Sequence, residues 1–192
     1  RNGESLGKVF DPYFNRTYEH FCSHQHTPYR MEPSGYDAGV CGGSILYFAH
    51  PVFTIYRGWG AVAVREYIGR AIRRFLGEEI QLEVSLPSQG RATLMHQKEE
   101  NRYVLHLLYA NTILRGGEVK LSGGNLSATR PIEVIEELNP CPPAKVSLKF
   151  DETPRSVKFV PEGNDVPFTL RDGRVEFEVP AFTCHRMVEI AY

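Results

Sequence analysis

Residues Pro167–Val179 read PFTLRDGRVEFEV, and this stretch decides the class of fold. Asp172-Gly173 offers two adjacent residues that tolerate positive φ, the requirement of a tight hairpin whose twist matches its strands. Beyond it Val175, Phe177 and Val179 alternate with Glu176 and Glu178, the period of two that turns one face of a strand inward and the other to water. Working outward, the same period recurs in QLEVSLP (Leu82, Val84, Leu86) and KVSLKF (Val146, Leu148, Phe150), with Lys145 and Lys149 on the outward side. NRYVLHLLYA (Asn101–Ala110) is apolar on both faces, which predicts a central strand with His106 as a hydrogen-bonded core histidine. About eight strands separated by Pro and Gly clusters are expected between Ile80 and Tyr192, forming an antiparallel β-sandwich over residues 78–192. The Gly/Ser-rich stretch Leu114–Arg130 is expected to be a long loop.

Upstream the period changes. GAVAVREYIGRAIRRFLG (Gly60–Gly77) places Val64, Ile68, Ala71, Ile72 and Phe75 at helical spacing, with Arg65, Glu66, Arg70, Arg73 and Arg74 on the other face. Arg73 and Arg74 suit the negative end of the helix dipole and Gly77 suits a C-cap, so the basic run reads as a solvated helix face rather than an anion site. GGSILYFAH (Gly42–His50) is a short apolar run bounded by glycines and a proline, expected to be a strand buried on both faces. A buried strand followed by an amphipathic helix is half of a βαβ unit, and one such unit cannot cover a parallel sheet. Residues 1–77 are therefore expected to be the C-terminal portion of an incomplete α/β domain. The fold class is α+β overall and mainly β. The chain opens on Arg1 without a signal-like segment, and the expectation is a processed or excised piece.

Composition excludes several functions. With 22 Lys+Arg against 23 Asp+Glu in 192 residues, the net charge is −1 and the pI is about 6.7, far from the basic footprint that nucleic acid requires. No apolar run is long enough to cross a bilayer, so no membrane partner is expected. Cys22, Cys41, Cys141 and Cys184 contain no C-x-x-C pair. They are read as thiols of a reducing, cytoplasmic compartment, with two disulfides left open as the alternative.

Two constellations are candidates for chemistry. EHFCSHQHTPY (Glu19–Tyr29) holds His20, His24 and His26, ligand types that a transition metal accepts. A short helix over Arg16–Cys22 would bring His20 and His24 to one face. The spacing matches no metal motif, and the alternative is a polar loop whose histidines cap turns. The second is HPVFTIYRGWG, expected as a loop at the carboxyl end of the buried strand, where open α/β sheets bind ligands. There His50, Tyr56, Arg57 and Trp59 suit either a sugar or a neighbouring domain, with the interface favoured. Glu78-Glu79, Glu99-Glu100 and Glu136-Glu137 read as solvated turns, and no nucleophile elbow or phosphate loop is present. No catalytic residue and no cofactor are expected in this chain.

DPYFNRTYEHFCSHQHTPY followed by GGSILYFAHPVFTIYRGWG resembles the end of the central, beta-galactosidase-trimerisation-like domain of bacterial glycosidases. LPSQGRATLMHQKEENRYVLHLLYA, PIEVIEELNP and VPAFTCHRMVEIAY are similar to the β-sandwich that closes the same proteins. The resemblance points to the alpha-L-fucosidases of glycoside hydrolase family 151, neighbours of the family 42 beta-galactosidases. It implies an α/β segment related to class I glutamine amidotransferases and a catalytic (β/α)₈ barrel elsewhere in the parent protein. The family's catalytic carboxylates belong to that barrel, and no position here matches them. The leading expectation is a non-catalytic accessory and oligomerisation region of such an enzyme, with the parent's barrel and further copies of the chain as partners. The first alternative is a carbohydrate-binding sandwich, against which Phe150, Phe159, Phe168 and Phe177 fall on the inward alternation. The second is a His-cluster metal protein.

Overall fold

The computed structural model describes residues 3–21, 27–117 and 131–192. The chain divides into two compact units, Arg1–Ile80 and Gln81–Tyr192.

The first unit is a small sheet with two helices. β1 (Glu4–Ser5), β2 (Gly39–Gly42) and β3 (Ile45–Phe48) pair antiparallel in that order. β2 and β3 form a hairpin across Gly43-Ser44, with Gly43 at φ +55°, so the ILYF run is an antiparallel strand at a sheet edge. Ile45 and Tyr47 stay well exposed, which corrects the expectation of a parallel strand buried on both faces. The physical reason is that Gly43 closes a tight turn and β3 shows its second face to solvent.

The segment expected as a loop is helix α1 (Val52–Trp59). Its residues are mostly β-branched or aromatic, with weak helix preference. Pro51 immediately precedes it and Gly60, left-handed at φ 65°, ends it by donating its N–H to the Tyr56 carbonyl. α2 (Val62–Leu76) forms as the periodicity predicts and ends at Gly77, whose N–H donates to the Arg73 carbonyl. It buries Ile68 and Ala71, and Tyr67 packs edge-on against Phe48 of β3 at 5.6 Å between ring centroids.

The second unit is a β-sandwich. Its strands are β4 (Leu82–Val84), β5 (Arg91–Gln97), β6 (Arg102–Tyr109), β7 (Ile113–Arg115), β8 (Ile132–Val134), β9 (Ala144–Lys149), β10 (Ser156–Val160), β11 (Phe168–Arg171), β12 (Arg174–Val179) and β13 (Cys184–Ala191). Two four-stranded antiparallel sheets run β10-β13-β6-β5 and β11-β12-β9-β4, and β7 pairs separately with β8. Leu114 and Arg115 thus belong to a strand, while residues 118–130 of the expected loop lie outside the described residues.

The Asp172-Gly173 turn is present with φ of 50° and 73° and pairs Arg171 with Arg174. The alternation read from sequence sets the core: Val146 and Leu148 of β9 and Val175, Phe177 and Val179 of β12 face Leu105 and Leu107 of β6 and Val188 and Ile190 of β13. Removal of these side chains from water is the main driving term of the unit. β6 is central as expected, but its core face is the alternate set Tyr103, Leu105, Leu107 and the partly buried Tyr109. His106 lies on the outward face, which corrects its reading as a core histidine. Strand parity assigns it to the side opposite Leu105 and Leu107.

Among the described residues no helix is long and apolar enough to cross a membrane. Cys41, Cys141 and Cys184 are free thiols, with burial pushing the Cys141 thiol up.

Candidate functional site

The first unit buries little and exposes much. Among its described apolar side chains only Val52, Ile68 and Ala71 are buried, against fifteen in the sandwich. Its surface instead carries Tyr18 at 96% exposure, Met31 at 88%, Trp59 at 84% and Tyr36 at 75%, with Ile45, Tyr47 and Phe53 near 60% or above. Single exposed apolar residues are ordinary, whereas contiguous exposed apolar patches are the kind of surface that proteins use for contacts.

Three separate segments carry exposed apolar side chains. On β3, Ile45 and Tyr47 occupy the face away from Phe48 and α2, across from Gly42 and Val40 of β2. On α1, Phe53, Tyr56 and Trp59 recur every third residue and form an outward aromatic strip. Between residues 8 and 37 the chain closes on itself through backbone bonds from Tyr13 to Pro28 and from Arg30 to Asp11. This leaves an open groove of about 420 Å³ lined by Phe10, Tyr29, Arg30 and Met31. Lys8 clamps the closure at 2.7 Å from Asp37, whose carboxyl is held below its ordinary range by Lys8 and then by the Ser5 hydroxyl.

His50, Tyr56, Arg57 and Trp59 are all exposed, Tyr56 at 37% and Trp59 at 84%. They do not line a loop crevice: His50 precedes α1 and the other three ride on it. Pro51 and Gly60 at the two ends of the segment were the start and stop signals that could have revealed the helix.

His20 sits in a turn rather than a helix, its N–H donating to Thr17 Oγ1 at 3.1 Å and its carbonyl accepting from the Thr17 N–H at 2.8 Å. The expected helix over Arg16–Cys22 is absent across the described residues 16–21, where the Thr17 hydroxyl ties the backbone into the turn. His24 and His26 lie outside the described residues.

The sandwich holds two groupings that sequence reasoning missed. At the end of β6, His96 stacks on Tyr103 with centroids 4.0 Å apart and bonds Tyr192 Oη through Nε2 at 2.8 Å. Tyr103 Oη donates to Glu152 Oε2 at 3.3 Å. Burial and then the adjacent Glu152 charge push the Tyr103 phenol up to about 12, and burial raises Tyr192 as well. Phenols so held stay protonated near neutrality.

A pocket of about 220 Å³ is lined by Asn111, Ile113, Glu136, Glu137 and Asn139. Glycosidic cleavage would need one carboxyl there as proton donor. Both oxygens of Glu136 accept from Arg115 at 2.6 Å, and that guanidinium holds the carboxyl below its ordinary range. Glu136 therefore stays ionised. The second grouping, His106 with His185, joins residues 79 positions apart, and no local signal announces it.

No model of a known protein family matches the chain, and no curated protein matches it. Among solved structures it is similar to alpha-L-fucosidase isoenzyme 2 from Paenibacillus thiaminolyticus, with 36% identity and a TM-score of 0.85. The match covers 100% of this chain and 27% of that chain. The similarity thus runs along the whole of this chain, which spans about a quarter of the length of the solved relative.

Proposed function

We propose that this chain is a non-catalytic accessory region of a bacterial alpha-L-fucosidase-like glycoside hydrolase. The first unit docks through its aromatic face onto the part of the enzyme that carries catalysis. The observation that supports this most directly is the match of the entire chain, at 36% identity, to 27% of a fucosidase. The imbalance within the first unit supports it independently: among its described residues three apolar side chains are buried, a small core that a neighbouring domain laid over the α1 strip around Trp59 would enlarge.

His50, Tyr56, Arg57 and Trp59 then serve an interface rather than a sugar. The open edge of β3 suits a strand of the same enzyme or of a second copy of the chain. The free cysteines suit a reducing, cytoplasmic setting. A carbohydrate-binding sandwich has less support, because Phe177 is buried and Phe150, Phe159 and Phe168 pack against the core rather than offering a stacking platform.

The test replaces the matching segment of the Paenibacillus enzyme with this chain. The hybrid is expected to remain soluble and to hydrolyse 4-nitrophenyl α-L-fucoside, while this chain alone leaves aryl fucosides and galactosides intact. Turnover by this chain alone at an ordinary enzyme rate of about 1–10³ s⁻¹, or a folded hybrid without activity, overturns the reading.

A further inference from the structure

His106 of β6 and His185 of β13 meet on the outward face of the sandwich. The register sets His106 opposite Met187 and His185 opposite Leu108, which makes the two histidines diagonal neighbours on adjacent strands. His106 Nδ1 lies 3.2 Å from His185 Nε2. The ring planes differ by 7° and the centroids are 5.4 Å apart. The excess of the centroid separation over the nitrogen separation is close to twice the distance from an imidazole centroid to its nitrogen. The rings therefore meet edge to edge, nitrogen to nitrogen. In the neutral pair one of these nitrogens carries the proton and the other accepts it.

We propose that His106 and His185 form a two-histidine chelate for a divalent transition metal of the copper–zinc end of the first-row series. Metal–imidazole bonds of about 2.0–2.1 Å at neighbouring coordination positions separate their nitrogens by about 3 Å, and the pair already stands at 3.2 Å. For both lone pairs to converge on a metal beside the gap, the rings need only swing about χ2, a broad torsion. The proton between them moves to the outer nitrogen of its ring. Both histidines are accessible, so water completes the coordination.

The strands under the pair are tied together. β6 is paired on both sides at His106, by β13 and β5, while β13 is paired with β6 at His185 and with β10 as well from Met187 onward. The donors are thus held close before the metal arrives, which lowers the entropy lost on binding. The residues opposite His106 are Thr93 and Met187, and the one opposite His185 is Leu108; the nearest cation by register is Arg91 of β5, opposite Leu108 and diagonal to His106, whose Nη1 donates to the Gly90 carbonyl at 3.2 Å. Further along the same strands Arg102 is paired with Glu189 at 2.5 Å. Imidazole donors bind Cu²⁺ more tightly than Zn²⁺, following the order of first-row divalent ions.

The full chain is titrated with CuCl₂ and ZnCl₂ by calorimetry, and the copper form is examined by electron paramagnetic resonance. One equivalent of Cu²⁺ per chain with coupling to two nitrogens is expected. H106Q, H185Q and the double variant are expected to weaken binding at least about tenfold, the loss that even an outer partner of a metal ligand can bring. Each single variant leaves a one-nitrogen spectrum if copper is retained. H20Q/H24Q/H26Q is expected to keep the two-nitrogen site. Binding unchanged in H106Q and H185Q, binding lost only in H20Q/H24Q/H26Q, or no stoichiometric binding by the parent sequence overturns the proposal.

Discussion

A Cβ atom at Gly39 of β2 would lie 2.8 Å from the hydroxyl of Tyr67 on α2, so the helix closes on the sheet at a point where only glycine fits. The same Cβ would stand 2.9 Å from the Tyr47 carbonyl. Tyr67 Oη is buried there without a hydrogen-bond partner, and burial raises its phenol. Gly39→Ala is expected to destabilise the first unit by about 1–3 kcal/mol through overpacking, read from urea melts. Tyr67→Phe removes an unsatisfied polar group and is expected to be neutral or stabilising by up to about 1 kcal/mol. The double variant should recover only part of the Gly39→Ala loss, because the Tyr47 carbonyl remains.

The two faces of β6 should differ sharply in their response to truncation. Leu105 is fully buried opposite Val188 and Leu94, whereas Leu108 is 45% exposed. Leu105→Ala is expected to destabilise the sandwich by about 2–5 kcal/mol, and Leu108→Ala to stay within about 0.5 kcal/mol of the parent. Equal losses in chemical denaturation would contradict the assigned strand parity.

The alkaline limb of stability should contain a contribution from Tyr103. Its phenol is raised from 10.0 to about 12 in the folded chain, so the unfolded state gives up that proton first. The stability is fully present below pH 10, declines as pH rises toward about 12, and levels beyond it. Tyr103→Phe is expected to flatten this decline, and ultraviolet titration of the phenolates should lose its latest component.

At acid pH the sign reverses. Asp37, held down by Lys8 and Ser5, and Glu136, held down by Arg115, have folded-state carboxyls below their ordinary values of 3.8 and 4.5. Their stabilisation is present at neutral pH and is lost as pH falls through those values and below. Lys8→Met and Arg115→Met should each shallow the acid limb of a pH–stability curve, with high salt producing the same change because both pairs are exposed.

The aromatic strip of α1 should matter more for assembly than for the stability of this chain. Trp59 is 84% exposed, so Trp59→Ala is expected to change the unfolding free energy of the chain by less than about 0.5 kcal/mol, while Phe53→Ala also removes an edge-on contact with Phe48 at 6.1 Å between centroids and is expected to cost about 0.5–1.5 kcal/mol. In the hybrid with the Paenibacillus enzyme the same changes should lower the melting temperature, with a loss of about 1–2 kcal/mol or more at a central anchor. No effect in the hybrid would remove α1 from the docking surface.

Much of the sandwich was legible in one dimension. Val175, Phe177 and Val179 alternate strictly, and the same holds for Val146 and Leu148, because a strand buried on one face imposes a period of two on its own sequence. Asp172-Gly173 specified its hairpin and Gly77 the end of α2, since positive φ is a local requirement met by few residues. The helical stripe of α2 was equally plain. The first unit was read less well: VFTIYRGW has the composition of a strand or loop, and its helix was signalled only by Pro51 and Gly60. ILYF looked doubly buried because apolar character alone does not say how many neighbours a strand has.

By itself, then, the sequence determined the alternating strands of the sandwich, the turn at Asp172-Gly173 and the apolar side of β9 and β12, since these follow from backbone geometry over a few residues. Only the tertiary structure decided that His106 points outward to meet His185, that Tyr103 meets Glu152, and that Ile45, Tyr47 and Trp59 remain uncovered. Those relations depend on register between strands distant in the chain and on which face has a neighbour. Such choices are settled by the burial of the whole core rather than by any local pattern.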